Sequence, residues 1–176
     1  MKTTQMYIEL VVIGLETSIW ICIMFINLLG SQISRNILYI LDNWTTSILV
    51  FGVLYIVGVL SDRLSDLVFQ CIEQTVRRQS GLEAKTSIII WEKYNQEKFS
   101  DYTRSRIRIL RASIINIPLI TLGSIWYLFQ INGQYHEAVL FILFLGGIAT
   151  YISQKSYIKL VKGFYQKAHI LEMERK

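Results

Sequence analysis

Four long runs of apolar residues alternate with polar segments along the chain. The runs cover residues 7–30, 44–60, 112–131 and 136–153. A helix needs about 20 apolar residues to cross a hydrocarbon core about 30 Å thick, and the shortest run reaches that length only with its ends among the lipid headgroups. The pattern therefore predicts an all-α membrane protein with four transmembrane helices, folded as a single integral membrane domain over residues 1–176.

The segment between the second and third runs has a helical period. Leu64, Leu67 and Ile72 recur at spacings of three to five residues, with polar residues between them. The Ser-Gly pair at 80–81 then interrupts the pattern, as glycine commonly does just after a helix end. A second helical pattern follows and runs into the third apolar run. Together they predict an antiparallel helical hairpin over residues 62–111.

Two further helices are expected outside the apolar runs. The tail, residues 154–176, carries an apolar stripe, and we expect it to extend the fourth span as a C-terminal helix packed on the hairpin. Residues 31–41 are expected to form a short interfacial helix between the first two spans.

The basic residues give the orientation. Of the 18 Lys and Arg residues, one precedes the first run, one lies between the first two runs, ten lie in the hairpin segment and six follow the fourth run. With four spans, 17 of them share one side, and basic residues near the ends of spans stay in the cytoplasm. This predicts a multi-pass inner (plasma) membrane protein with both termini cytoplasmic. The net charge of +5 also favours anionic lipid headgroups as partners. No aromatic-basic motif accompanies that charge, so nucleic acid is not an expected partner.

A cluster of arginines precedes the third run instead of lying within it. This position favours an anchor among lipid headgroups over a voltage sensor. Three aspartates should lie near the same membrane surface, and their pairing with Arg104 or Arg106 is expected to lock the base of the hairpin. The candidate lipid-headgroup or gating contacts are Asp62, Arg63, Asp66, Asp101, Arg104, Arg106, Arg108 and Arg111.

The first run contains one acidic residue far from its ends, Glu16. Counting from Tyr7 at 1.5 Å per residue places Glu16 about 14 Å deep, near the bilayer midplane. Glu9 and Asn27 lie within about 20° of it on a helical wheel, so the three residues form one polar stripe. A polar stripe must face protein or water instead of lipid. Glu9, Glu16 and Asn27 are therefore candidate pore-lining or coupling residues.

Two interpretations of this stripe stay open. In a symmetric oligomer, copies of Glu16 would form a carboxylate ring that favours cations, and protonation would close the path. Alternatively, Glu16 is a protonated structural residue that is hydrogen-bonded to Thr17, to Asn116 or to a hydroxyl at positions 45–47.

The sequence carries no catalytic constellation, nucleotide-binding loop or metal-ligand cluster, so it predicts neither an enzyme nor a cofactor. The two cysteines, Cys22 and Cys71, have no neighbouring cysteine or histidine ligands. We expect both to be small buried residues.

The leading hypothesis is a homo-oligomeric channel or pore, cation-selective and gated through its cytoplasmic hairpin. The alternative is a non-conducting membrane scaffold or accessory subunit that docks a cytoplasmic protein partner. The layout of small spans joined to a helical cytoplasmic hairpin is similar to that of small bacterial membrane effectors of antiviral defence systems, which implies a role of this second kind. A third hypothesis is a small proton-coupled transporter, against which the absence of internal repeats weighs.

Overall fold

The computed structural model describes residues 2–29, 44–79, 91, 97–131 and 136–173. This part of the chain is all helical, with no strand. Its four helices are α1 (Lys2–Leu29), α2 (Trp44–Gln79), α3 (Glu97–Ile131) and α4 (His136–Met173). The expected interfacial helix at 31–41 and the expected break at 80–81 lie outside the described residues.

Three of the four helices are long and apolar enough to cross a membrane. The qualifying segments are Met6–Leu28, Lys98–Ile131 and His136–Leu171. α2 is the described helix that is not among them. Its side chains are described only from Leu49 to Arg78, with gaps, and the charged residues Asp62, Arg63 and Asp66 follow its apolar part. The described part of the chain is thus all helical, as the apolar runs predict, and its apolar helices indicate a membrane-embedded protein.

Contacts between side chains give the directions of three helices. α1 and α3 run parallel, because Glu9, Glu16 and Asn27 meet progressively later positions of α3. α3 and α4 run antiparallel, since Thr121 lies against Gly146 and Arg104 lies over the ring of Phe164.

α2 contacts the other three helices in turn along its length. The contacts are Gly58 with Gly14 of α1, Asp66 with Arg111 of α3, and Phe69 with Tyr157 of α4. Between the first and last of these contacts α2 advances about 16 Å at 1.5 Å per residue. Its three partners lie at nearly the same height of the bundle formed by α1, α3 and α4. α2 therefore crosses that bundle at a steep angle.

The apolar core of the described chain lies at one end of the bundle. Its members come from the segments that the sequence assigns to the cytoplasm: Phe69, Trp91, Ile107, Tyr157, Val161, Phe164, Tyr165, Ala168 and Leu171. The opposite pattern holds in the apolar runs, where polar side chains such as Thr17 and Asn116 are buried and leucines and phenylalanines are exposed. The described chain thus combines two kinds of packing. At one end it has an apolar core like that of a water-soluble protein, and in the apolar runs it has buried polar and exposed apolar side chains, as is typical of membrane proteins.

Both cysteines are exposed, so the expectation that they are buried was wrong. Cys22 of α1 and Cys71 of α2 lie on helix faces that point away from the bundle. On a helix surrounded by lipid, a small apolar side chain is as well placed outside as inside.

Candidate functional site

The three stripe residues of α1 face α3 of the same chain. A guanidinium nitrogen of Arg108 lies 3.9 Å from a carboxylate oxygen of Glu9. The hydroxyl of Ser113 lies 3.0 and 2.9 Å from the two carboxylate oxygens of Glu16. The Asn27 side-chain amide donates a hydrogen bond of 3.0 Å to the carbonyl oxygen of Gly123. The stripe predicted from the helical wheel is therefore one side of the α1–α3 interface.

A network of hydroxyl and amide groups joins α1, α2 and α3 beside Glu16. The Thr17 hydroxyl bonds the carbonyl of Ile13 at 2.8 Å and the hydroxyl of Ser61 at 2.9 Å. Asn116, which is only 1% exposed, donates to the Thr17 hydroxyl and accepts from the indole N–H of Trp20, both at 3.1 Å. Each bond satisfies a polar group that would otherwise be buried without a partner, so the network fixes how α1 and α3 sit against each other.

Arg111 lies at the centre of an ionic cluster between α2, α3 and α4. Its two terminal nitrogens lie 2.5 Å from Asp66 and 3.4 Å from Glu73, and the Tyr165 hydroxyl donates to Glu73 at 2.9 Å. The Arg111 side chain is 9% exposed. We use "ionic cluster" below for Asp66, Glu73, Arg111 and Tyr165.

The other arginines named from the sequence have different partners. Arg104 lies 5.9 Å from the ring centroid of Phe164, and Arg106 lies 4.8 Å from that of Tyr102. Asp66 pairs with Arg111 and, at 3.9 Å, with the exposed Arg63. Asp66 is thus paired with Arg111 and Arg63, and the expected pairing of the three aspartates with Arg104 or Arg106 stays a prediction.

Asp101 of α3 is half-buried near this end of the bundle. Tyr157 of α4 is 1% exposed, and its ring meets that of Phe69 edge-on, with 5.1 Å between the ring centroids.

Asp62 follows the apolar part of α2 and is 9% exposed. Within the described residues its Oδ1 atom has no hydrogen-bond partner. Burial, and then the neighbouring Asp66, raises the pKa of Asp62 above its usual range, although Arg108 and Arg111 oppose the shift. A carboxyl group with a raised folded-state pKa stabilises the fold below its unfolded pKa, and this contribution is lost as the pH rises through the folded pKa.

Asp62→Asn is therefore expected to raise the melting temperature at pH 7.5 relative to the parent, with the gain shrinking as the pH falls toward 4. Thermal unfolding in detergent between pH 4 and 8 measures this. Asp66→Asn is the matched control, and it should lower the melting temperature at pH 7.5 because it removes a partner of Arg111. A lower melting temperature for Asp62→Asn at pH 7.5 would mean that attraction to the arginines outweighs burial.

Several residues of the site were not found from the sequence. Glu73 and Tyr165 of the ionic cluster, and Ser113, Ser61 and Gly14 in the bundle, were not singled out. A signal for Glu73 exists, since it lies seven residues after Asp66 and so on the same side of α2. Ser113 carried a weaker signal, as a small polar residue early in an apolar run.

A cavity of about 350 Å³ lies between α1, α3 and α4, and its lining is almost entirely apolar: Ile23, Ile26, Ser124, Tyr127, Leu128 and Ile142. A smaller polar cavity of about 220 Å³ lies beside the ionic cluster, lined by Gln70, Glu73, Gln74 and Tyr165. Among the described residues, no group of three or more His, Cys, Asp and Glu side chains could hold a metal ion. Comparison of the chain with protein-family models, curated proteins and solved structures gave no match.

Proposed function

We propose that the chain is a four-pass protein of the inner membrane with both termini in the cytoplasm. The parallel course of α1 and α3 supports this topology, because the chain must return across the membrane between two parallel spans. α2 is the described helix between them. It stays at nearly one height of the bundle from Gly58 to Phe69, so we assign the return crossing to its first part, which begins at Trp44.

We place Glu16 near the cytoplasmic membrane surface instead of at the midplane. The apolar part of α3 begins at Ala112, directly after Arg111, and Glu16 is hydrogen-bonded to Ser113. Glu9 lies two turns before Glu16 on α1, and it pairs with Arg108 of α3. The part of α1 before Glu16 therefore lies beside the arginines that precede the apolar part of α3. At this depth a carboxylate is much less costly than at the bilayer centre.

The protein's proposed function is that of a non-conducting membrane scaffold or accessory subunit. The observation that carries this proposal is that Glu9, Glu16 and Asn27 each contact α3 of the same chain, so that each has a partner without an oligomer axis. The apolar core at the cytoplasmic end supports a folded, water-exposed unit held at the membrane. Its exposed lysines, including Lys159 and Lys162 of α4, favour a partner with an acidic surface.

Affinity purification from native membranes tests the docking proposal. The parent protein should retain a cytoplasmic or membrane partner in stoichiometric amount, and the Lys159→Glu, Lys162→Glu double variant should lose it, since both side chains are exposed. Glu137→Lys, at the opposite end of α4, is the matched control and should retain the partner. Recovery of the parent alone, or retention by the double variant, would contradict docking through this surface.

The homo-oligomeric channel is the second candidate, and one observation favours it. Polar side chains follow the whole α1–α3 interface from Glu9 to Asn27, about 27 Å along the helix. Separation of α1 from α3 in an oligomer would expose this row and create a polar path. Ion flux into liposomes tests it: a channel predicts cation flux from the parent and from the surface control Glu137→Ala, and a much reduced flux from Glu16→Ala. Absence of flux from the parent would reject the channel.

A further inference from the structure

Apolar side chains remain exposed on α2 after its apolar run has ended. They have exposed fractions between 43 and 69%. At 100° per residue they share one sector of the helix, with the exposed Cys71 near its centre. We call this sector the apolar face of α2, and it consists of Leu60, Leu64, Leu67, Val68, Cys71 and Ile72.

The side of α2 that packs on the bundle is mostly polar, and Phe69 is its buried apolar residue. Ser61, Asp62 and Ser65 are buried there, and Asp66 and Glu73 meet Arg111. A surface helix of a water-soluble protein has the opposite arrangement, with its apolar side turned inward. The carboxylates of this segment therefore face protein, while its apolar side chains other than Phe69 face outward.

A third sector separates the apolar face from the ionic cluster along one edge. It consists of the exposed polar residues Arg63, Gln70 and Gln74. In the preceding turns of α2 the same angular position is held by the exposed Ile56, which lies 18 residues and thus five full turns before Gln74. Along the helix, the exposed residues at this edge thus change from apolar to polar, whereas those of the apolar face stay apolar.

We propose that the apolar face of α2 lies in the cytoplasmic leaflet of the membrane, in contact with phospholipid acyl chains, while Arg63, Gln70 and Gln74 face water. The face continues the exposed apolar surface of the 49–60 segment, where Leu49 and Val53 lie in the same sector of the helix. It also lies at the height of Arg111, where the apolar part of α3 begins. α2 thus extends beyond its membrane-spanning run as a helix that lies along the membrane surface.

The order of apolar and polar sectors around α2 favours lipid, instead of a second copy of the chain, as the partner of the apolar face. A leaflet surface requires an apolar sector bordered by a polar edge, and Arg63, with 77% of its side chain exposed, is placed on that edge to reach lipid phosphates. The inference rests on the membrane location of the chain and is independent of whether the protein docks a partner or conducts ions.

Spin-label accessibility in vesicles of phosphatidylcholine and phosphatidylglycerol tests the proposal. The Cys22→Ser variant retains only Cys71, which lies within the apolar face, so the label reports on this face in an otherwise native chain. The matched control carries Cys22→Ser, Cys71→Ser and Gln70→Cys, which moves the label to the neighbouring polar edge. Circular dichroism and gel filtration verify that both variants are folded.

The expected result is a several-fold stronger relaxation enhancement by oxygen than by a water-soluble nickel complex at Cys71, with the order reversed at Gln70→Cys. Stronger enhancement by the nickel complex at Cys71 would place the face in water and overturn the proposal. Protection of Cys71 from both reagents would show that protein covers the face, and this would also overturn it. Neither outcome would decide the purification or flux experiments, which use other residues.

Discussion

Replacing Gly14 by alanine is expected to lower the free energy of unfolding by about 3 kcal/mol, at the upper end of the cost of overpacking. A Cβ atom built on Gly14 would lie 1.8 Å from the carbonyl oxygen of Leu54 and 3.0 Å from the backbone nitrogen of Gly58. The obstacle is helix backbone, so no side chain can rotate away, and α1 and α2 must move apart. Gly58→Ala should have the same effect, because its Cβ would lie 1.8 Å from the carbonyl oxygen of Leu10.

Gly52→Ala and Gly147→Ala are the matched controls. Nothing lies within 4 Å of a Cβ built on either residue, and both lie inside helices. Alanine should therefore stabilise the protein at these positions by about 0.5–1 kcal/mol, since it loses less backbone entropy on folding than glycine does. Unfolding by a denaturing detergent, followed by circular dichroism, measures all four variants. Equal effects at Gly14 and Gly52 would show that α1 and α2 do not meet closely in the membrane.

Helix periodicity predicted most of the elements but not how they cross. The four apolar runs lie within α1 to α4, apart from residue 30, which lies outside the described residues. The stripe in the tail correctly predicted that α4 continues past its apolar run, and α4 ends at Met173. The steep crossing of α2 was not predictable. It depends on the contact between Gly14 and Gly58, and a sequence shows that a residue is small without showing which backbone approaches it.

The stripe on α1 was predicted as one helix face, whereas the role of its residues in lining a pore or in coupling stays a prediction. The helical wheel correctly grouped Glu9, Glu16 and Asn27, because their spacing on α1 fixes the direction in which they point. Their partners depend on the relative register of α1 and α3, which is set by packing along the whole length of both helices. The wheel therefore identified the face and could not identify Ser113 as the residue that bonds Glu16.

The apolar face of α2 shows a limit of reading amphipathic patterns. Leu64, Leu67 and Ile72 recur with a helical period, which in a water-soluble protein would mark the buried side of the helix. In this structure the buried side instead carries Ser61, Asp62 and Ser65 beside Phe69. Periodicity gives the direction of a stripe, and the surrounding solvent decides whether the stripe lies inside or outside.

Replacing Arg111 by methionine is expected to lower the free energy of unfolding by about 2–4 kcal/mol. Loss of one partner of a buried ion pair costs about 3–5 kcal/mol, and this is reduced here because the side chains of Asp66 and Glu73 are 38 and 33% exposed and thus partly screened. Methionine keeps much of the side-chain volume, so the change tests charge more than packing. The measurement is detergent unfolding at pH 7.5.

The control for this prediction is Arg63→Met. Arg63 also lies near Asp66, but at 3.9 Å and with 77% of its side chain exposed, so its loss should change stability by less than about 0.5 kcal/mol. Adding Asp66→Asn and Glu73→Gln to Arg111→Met should restore part of the lost stability, because it removes the two carboxylates that the arginine balanced. A single amine cannot serve both carboxylates as the forked guanidinium does, so Arg111→Lys should give an intermediate loss. If the triple variant were no more stable than Arg111→Met alone, Arg111 would contribute through packing, and the ionic cluster would not be what joins α2 to α3 and α4.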